Sequence, residues 1–273
     1  MLRSKNNENM KKFILGVLAV MSFIACSDDE LPAEQLKGTN KVSIAFDNGF
    51  KNDKLLLGSS RYQNSNGEFL TVNAFDYIVS NFVLIDEQGK EFVFNKDKSY
   101  FIISEGGAGK TKKVAVDLEG VPAGKYVKIK FGIGVDQERF KQGQAVQQDF
   151  WTLAEQYSLT WSWQAGYKFV VLEGDYQASS QATKKPYMLH IASRGTSVDL
   201  YKEVTLNMDQ AVVSASSSPQ IHIKVDAEKM LGGTHKIKLA EGATIMGGDK
   251  ASEIADNNKE MFTVHHVHHA GHH

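Results

Sequence analysis

Imidazoles, indoles and one thiol are the groups in this chain whose spacing could do chemistry. Six of the nine histidines fall within residues 265–273. Neutral imidazole is the commonest protein ligand for copper, zinc and nickel. If this end were a strand, His266 and His268 would share one face, with His265 and Val267 on the other. If it were not, it would be a disordered end that picks up metal adventitiously. The interruptions by Val267 and Ala270-Gly271 set it apart from a run of six histidines. The indoles sit in Leu159-Thr-Trp161-Ser-Trp163-Gln-Ala-Gly-Tyr-Lys-Phe169, with Trp151 close upstream. Read as an extended strand, this places Trp161 and Trp163 side by side. Such a pair is either a packed aromatic patch or an exposed platform able to stack on a glycan.

The thiol is Cys26, the single cysteine. Exported proteins usually pair their cysteines, so a lone one calls for another role. Met10-Lys11-Lys12 is a short basic region, Phe13 to Ile24 an apolar run, and Ala25-Cys26 a small residue followed by cysteine. The run is too short to span a bilayer and reads as a signal peptide over residues 1–25. Cys26 then becomes the lipidated N-terminus of a lipoprotein, although Phe23 and Ile24 depart from the usual lipobox. Residues 26–40 read as a flexible acidic linker broken by Pro32 and Gly38. Its Ser27-Asp-Asp-Glu30 run resembles the surface-export signal of Bacteroidetes lipoproteins. The expectation is an outer-membrane lipoprotein, held by its lipid and exposed at the cell surface.

The leader holds four basic side chains (Arg3, Lys5, Lys11, Lys12) and one acidic (Glu8). Of the 31 basic and 32 acidic residues in the whole chain, 27 and 31 remain after it. A mildly acidic chain with no basic cluster argues against nucleic acid as a partner. Glu105-Gly-Gly-Ala-Gly-Lys-Thr111 has a phosphate-loop look. However, Ser104 stands where that motif needs glycine, and a strand pattern rather than a helix follows, so the segment is expected to be a flexible hairpin loop. No Gly-x-Ser-x-Gly elbow, no His-Glu-x-x-His and no spaced acid/base pair is present, and no enzymatic role is expected.

The elements that must position these groups are mostly strands. Period-two patterning predicts strands over 42–46, 75–84, 91–94, 99–103, 113–118, 125–133, 167–172, 187–192, 198–206 and 220–225. Asp86-Glu-Gln-Gly-Lys90 reads as a hairpin turn and Pro122-Ala-Gly124 as a second turn. Helical patterns appear at 149–157 and 250–261. The whole predicts an all-β, single β-sandwich domain over 41–273 with one or two short helices.

Several blocks together resemble the MbnP family, relatives of the partner protein of methanobactin gene clusters. They are Val42-Ser-Ile-Ala-Phe46, Phe75-Asp-Tyr-Ile-Val-Ser-Asn-Phe-Val-Leu84, Val121-Pro-Ala-Gly-Lys-Tyr126 and Phe131-Gly-Ile-Gly-Val-Asp136. Trp161-x-Trp163-x-x-Gly166-Tyr167, Leu172-Glu-Gly174 and Tyr187-Met-Leu-His190-Ile follow. Ile254-Ala-Asp-Asn-Asn258, Met261-Phe262 and His266-Val-His268 close the match. The resemblance implies a β-sandwich that binds copper through histidines. It also implies a dihaem partner resembling cytochrome c peroxidase, which oxidises a tryptophan to kynurenine. Carried onto this chain, the modified residue is Trp161 or Trp163 and the ligands are His190, His266 and His268. The stretch 147–159 departs from the family pattern as an apparent insertion, and the lipid anchor and extra histidines differ from soluble periplasmic members.

Overall fold

The computed structural model describes residues 36–178, 183–193, 195 and 197–269. The leader, Cys26 and most of the linker lie outside the described residues, as do His272 and His273. The strands are β1 (Thr39–Phe50), β2 (Asp53–Lys54), β3 (Tyr62–Gln63), β4 (Phe69–Asp86), β5 (Glu91–Val93), β6 (Tyr100–Ser104) and β7 (Ala115–Pro122). They continue with β8 (Gly124–Ile133), β9 (Lys168–Gln177), β10 (Lys185–Ala192), β11 (Lys202–Val213), β12 (Pro219–Asp226), β13 (Thr244–Ile245) and β14 (Phe262–His269). A nine-stranded sheet runs β11-β8-β4-β9-β10-β13, with β3, β5 and β6 also on β4. A five-stranded sheet runs β14-β12-β1-β2, with β7 also on β1. The all-β sandwich expected from periodicity is the fold observed.

Alternation decides which side of each strand is buried. In β1 the even positions Val42, Ile44, Phe46, Asn48 and Phe50 are buried, whereas Ser43, Ala45 and Asp47 face outward. In β12 the odd positions Ile221, Ile223 and Val225 are buried and Gln220, His222 and Lys224 lie on the outer face. The two sheets meet through rings. Phe46 of β1 packs edge-on against Tyr77 of β4 and Phe131 of β8, with centroids 6.1 and 6.2 Å apart. Phe262 of β14 contacts Phe131 at 5.1 Å and Tyr77 at 5.9 Å. Edge-to-face geometry suits the aromatic quadrupole and adds to the area these rings bury.

The predicted turns follow from local chemistry. Asp86 Oδ1 accepts from the backbone N–H of Gln88 and Lys90, and Gly89 takes φ 80°, so the chain reverses between β4 and β5. Pro122 and Gly124 carry the chain from β7 in the small sheet to β8 in the large one. The two predicted helices are α2 (Gln148–Gln156) and α4 (Gly248–Asn258). Two shorter ones, α1 (Gln137–Lys141) and α3 (Lys229–Gly232), go beyond the one or two expected, because one turn carries no readable periodicity. The 105–111 segment is a loop as expected, but it is pinned: Lys110 Nζ bonds the buried Asp76 Oδ2 at 2.6 Å.

Asp136 caps α1 and gathers its surroundings. Its carboxylate accepts from Arg139 N–H, Asn81 Nδ2 and Tyr100 Oη, and pairs with Lys96. Burial alone would raise this carboxyl, but the bonds from Asn81, Tyr100, Arg139 and Lys96 hold it down to about 2. A carboxyl depressed from 3.8 contributes stability above its unfolded value and loses it as pH falls through the folded one. Asp136→Ala should therefore lower unfolding free energy by roughly 2 kcal/mol at neutral pH, the sum of a lost cap and lost ion pairing. Urea denaturation measures it, and the gap between wild type and variant should close as pH drops from about 4 towards 2.

Candidate functional site

The segment 159–166 is not a strand. Trp161 N–H bonds Gly166 O at 3.1 Å, while Ser162 O accepts from the N–H of both Ala165 and Gly166. Gly166 sits at φ 80°, a conformation that favours glycine. A tight turn therefore stands where periodicity places an extended strand, and Trp161 and Trp163 do not share a face. Trp163 stacks on Phe140 with centroids 4.8 Å apart and planes 15° apart, and meets Trp151 edge-on at 5.1 Å. Trp151 and Tyr167 extend the cluster to Phe150 and Tyr100. Trp163 thus anchors the helical insertion to β9. Trp161 turns the other way, its ring 6.1 Å from that of His190, with Lys168 Nζ 5.6 Å from its centroid. A stacking platform needs two neighbouring exposed rings, and the turn divides this pair.

His190 lies on β10 in a polar row that crosses the large sheet. Asp76 of β4 pairs with Val171 of β9, and Val171 pairs with His190, so the three share a rung and a face. Glu173, two residues along β9, bonds His190 Nε2 through Oε1 at 2.6 Å. The other ring nitrogen, Nδ1, is buried with no hydrogen-bond partner. With Nε2–H donating to the carboxylate, Nδ1 carries a bare lone pair. Burial pushes the His190 imidazole below its ordinary value, against the pull of Glu173, which keeps it in the ligand form. Burial likewise lowers the Lys168 ammonium. At the β4 end of the row, Asp76 is fully buried between Lys110 and Ser104 Oγ, and its carboxyl is raised by that burial.

The structure does not bring His190 together with His266 and His268. Those two lie on β14, in the small sheet. There the tail is an ordered strand through His269, antiparallel to β12, with His266 opposite His222 and His268 opposite Gln220. His266 and His268 share the outer face, as the strand reading expected, and Val267 faces inward opposite Ile221. His265 breaks the alternation because it is the extra residue of a β-bulge, and its Nδ1 lies 2.9 Å from that of His266. Among the described residues, no three His, Cys, Asp or Glu side chains stand arranged to hold a metal ion.

Sequence reasoning missed Glu173, Lys168, Asp76 and His222. Glu173 was findable once β9 and β10 were read as a hairpin, since parity then puts it beside His190. His222 carried no signal: a lone histidine in an alternating strand looks like any polar outward residue.

A family model described as MbnP matches residues 39–247. MbnP from Methylosinus trichosporium is similar in structure, with a TM-score of 0.46 and 14% identity over 85% of this chain and 99% of that one. A putative cell adhesion protein from Bacteroides eggerthii is a more distant likeness, with a TM-score of 0.24 and 9% identity, covering 85% of this chain and 55% of that one. No curated protein sequence matches.

The two indoles should separate by substitution. Trp163→Ala, which empties a stack and two edge contacts, is expected to lose about 2–4 kcal/mol of unfolding free energy, whereas Trp161→Ala should lose under about 1 kcal/mol. Denaturant titration followed by far-UV circular dichroism checks both, and equal losses would mean the turn does not part them.

Proposed function

We propose a function from one premise: the chain belongs to the MbnP family. On our reading it is a non-enzymatic copper-binding lipoprotein, tethered through Cys26 to the outer membrane, with its domain at the cell surface. The leader and the acidic run after Cys26 support the placement, since they have the order and charge that export and lipidation require.

The observation that carries the copper reading is His190 Nδ1, a buried lone pair without a partner on an imidazole whose other nitrogen is held by Glu173. A carboxylate behind a histidine fixes its tautomer and orientation and raises its basicity as a ligand. A buried acceptor left unsatisfied destabilises the fold by about 1–3 kcal/mol, a debt that a bound cation would cancel. Imidazole suits copper, and burial of Nδ1 would limit water at a bound ion.

Trp161 is the residue we assign to oxidation, because it stands beside His190 while Trp163 is packed into the insertion. Conversion to kynurenine would cleave the indole C2–C3 bond in a four-electron oxidation by two equivalents of peroxide at the partner's haem, with hydrolysis releasing C2 as formate, and would leave an aryl amine and a ketone as two further donors next to His190. The oxidising power belongs to a dihaem partner resembling cytochrome c peroxidase, and this chain supplies the positioned indole.

Two measurements test this reading. Cu(I) titrated into the full mature chain should bind one ion per chain, at least tenfold more weakly in His190→Ala. Native protein should carry a mass gain of about 4 Da on Trp161, absent when it is made without the dihaem partner. Unchanged copper affinity in a folded His190→Ala variant would remove the site.

A further inference from the structure

We propose that His222, His266 and His268 form a second cation site on the outer face of the small sheet. It would take a borderline divalent ion such as Zn2+, independently of His190. The placement comes from register. His266 and His222 are directly opposed across β14 and β12, and His268 follows His266 on the same face. Opposed positions bring Cβ atoms to about 4.5–5.5 Å, and i, i+2 positions on one strand face the same way. Two histidines spaced one residue apart on a strand, with a third on its neighbour, suit a three-imidazole set that leaves an open fourth position.

The side chains are partly organised for this. The His222 and His266 rings stack 4.3 Å apart with planes 13° from parallel. Asp47 Oδ2 of β1 lies 3.5 Å from His222 Nδ1. His265, displaced by the bulge, occupies His266 Nδ1 at 2.9 Å. His266 is engaged at Nδ1 and His222 has a carboxylate near its Nδ1, so Nε2 of each is the atom assigned to the ion. His222 Nε2 meets only the amide oxygen of Gln220 at 3.0 Å, and Gln220 is the residue opposite His268. The rings stack rather than converge, so binding requires rotation of half-exposed and exposed side chains and displacement of one amide, with no movement of the backbone.

Zinc chloride titrated by calorimetry into the full mature chain, with His272→Ala and His273→Ala as background, tests the site. One Zn2+ per chain is expected, bound at least tenfold more weakly in His222→Gln and likewise in His266→Ala, whose ring is exposed and outside the core. His190→Ala should leave zinc affinity unchanged, so failure here and failure of the copper reading are separable. If the background variant shows no saturable one-to-one binding, or if His222→Gln and His266→Ala bind as tightly as it does, the site is overturned. Thermal melts of each variant verify that the folded state is being compared.

Discussion

An 18-residue strand buried along much of its length must find backbone partners on two edges and cover on two faces. β4 is that strand, and its solution sets the rest of the molecule. Asp76 pairs with both Val171 of β9 and Ser104 of β6, so those strands take opposite edges. Val79 pairs with both Ile133 of β8 and Phe101 of β6, so β8 follows β9 on the same edge. β9 hands over to β8 between Tyr77 and Val79, and within the β8 pairing the register shifts after Ser80, where Asn81 adopts φ 53°. The Asn81 side chain then bonds Asp136 and Tyr201, which ties the N-cap of α1 to the bend. An irregularity in the longest strand therefore fixes where the chain leaves β8 for α1.

The same strand explains why a polar row can cross the large sheet. Asp76 on β4 cannot reach water, so it is answered by Lys110 from the loop between β6 and β7 and by Ser104. A buried carboxylate is tolerated only when charge and hydrogen bonds compensate it. That demand pins a loop that glycine content alone would leave free. It also sets a satisfied polar group on the rung of His190, one strand from Val171 and two from the imidazole. Glu173 is the one carboxylate on that row that bonds the ring, which leaves Nδ1 over.

Strand periodicity was legible because most strands bury one face, and the expected segments fall on β1 and β4 to β12, most with extended ends and β11 beginning and ending later than the expected 198–206. Topology was not legible, since edge choice on β4 depends on register shifts that no local pattern marks. Around the candidate site, His190 was legible only through family resemblance, and its carboxylate partner needed the hairpin. Trp161-Ser-Trp163 was misread for a specific reason. Alternation of aromatic and polar residues is shared by a strand and by the entry to a turn, and Gly166 decides between them through its positive φ. The cue lay three residues beyond the pair it governed.

The tail shows the converse, a pattern too irregular for a plain strand that folds as one. Val264 and Val267 are three residues apart, so in unbroken alternation they would point to opposite sides. In β14 Val264 pairs with Ile223 and Val267 with Ile221, two inward positions of β12. The bulge at His265 absorbs the odd residue and lets both valines pack against the core. Covering each valine contributes on the order of 1–2 kcal/mol, enough to offset the ladder contacts a bulge forgoes. The placement of His266 and His268 on the outer face follows from that apolar requirement. Apolar burial thus fixes the backbone under the histidine row and leaves the ring torsions as the freedom on its outer face.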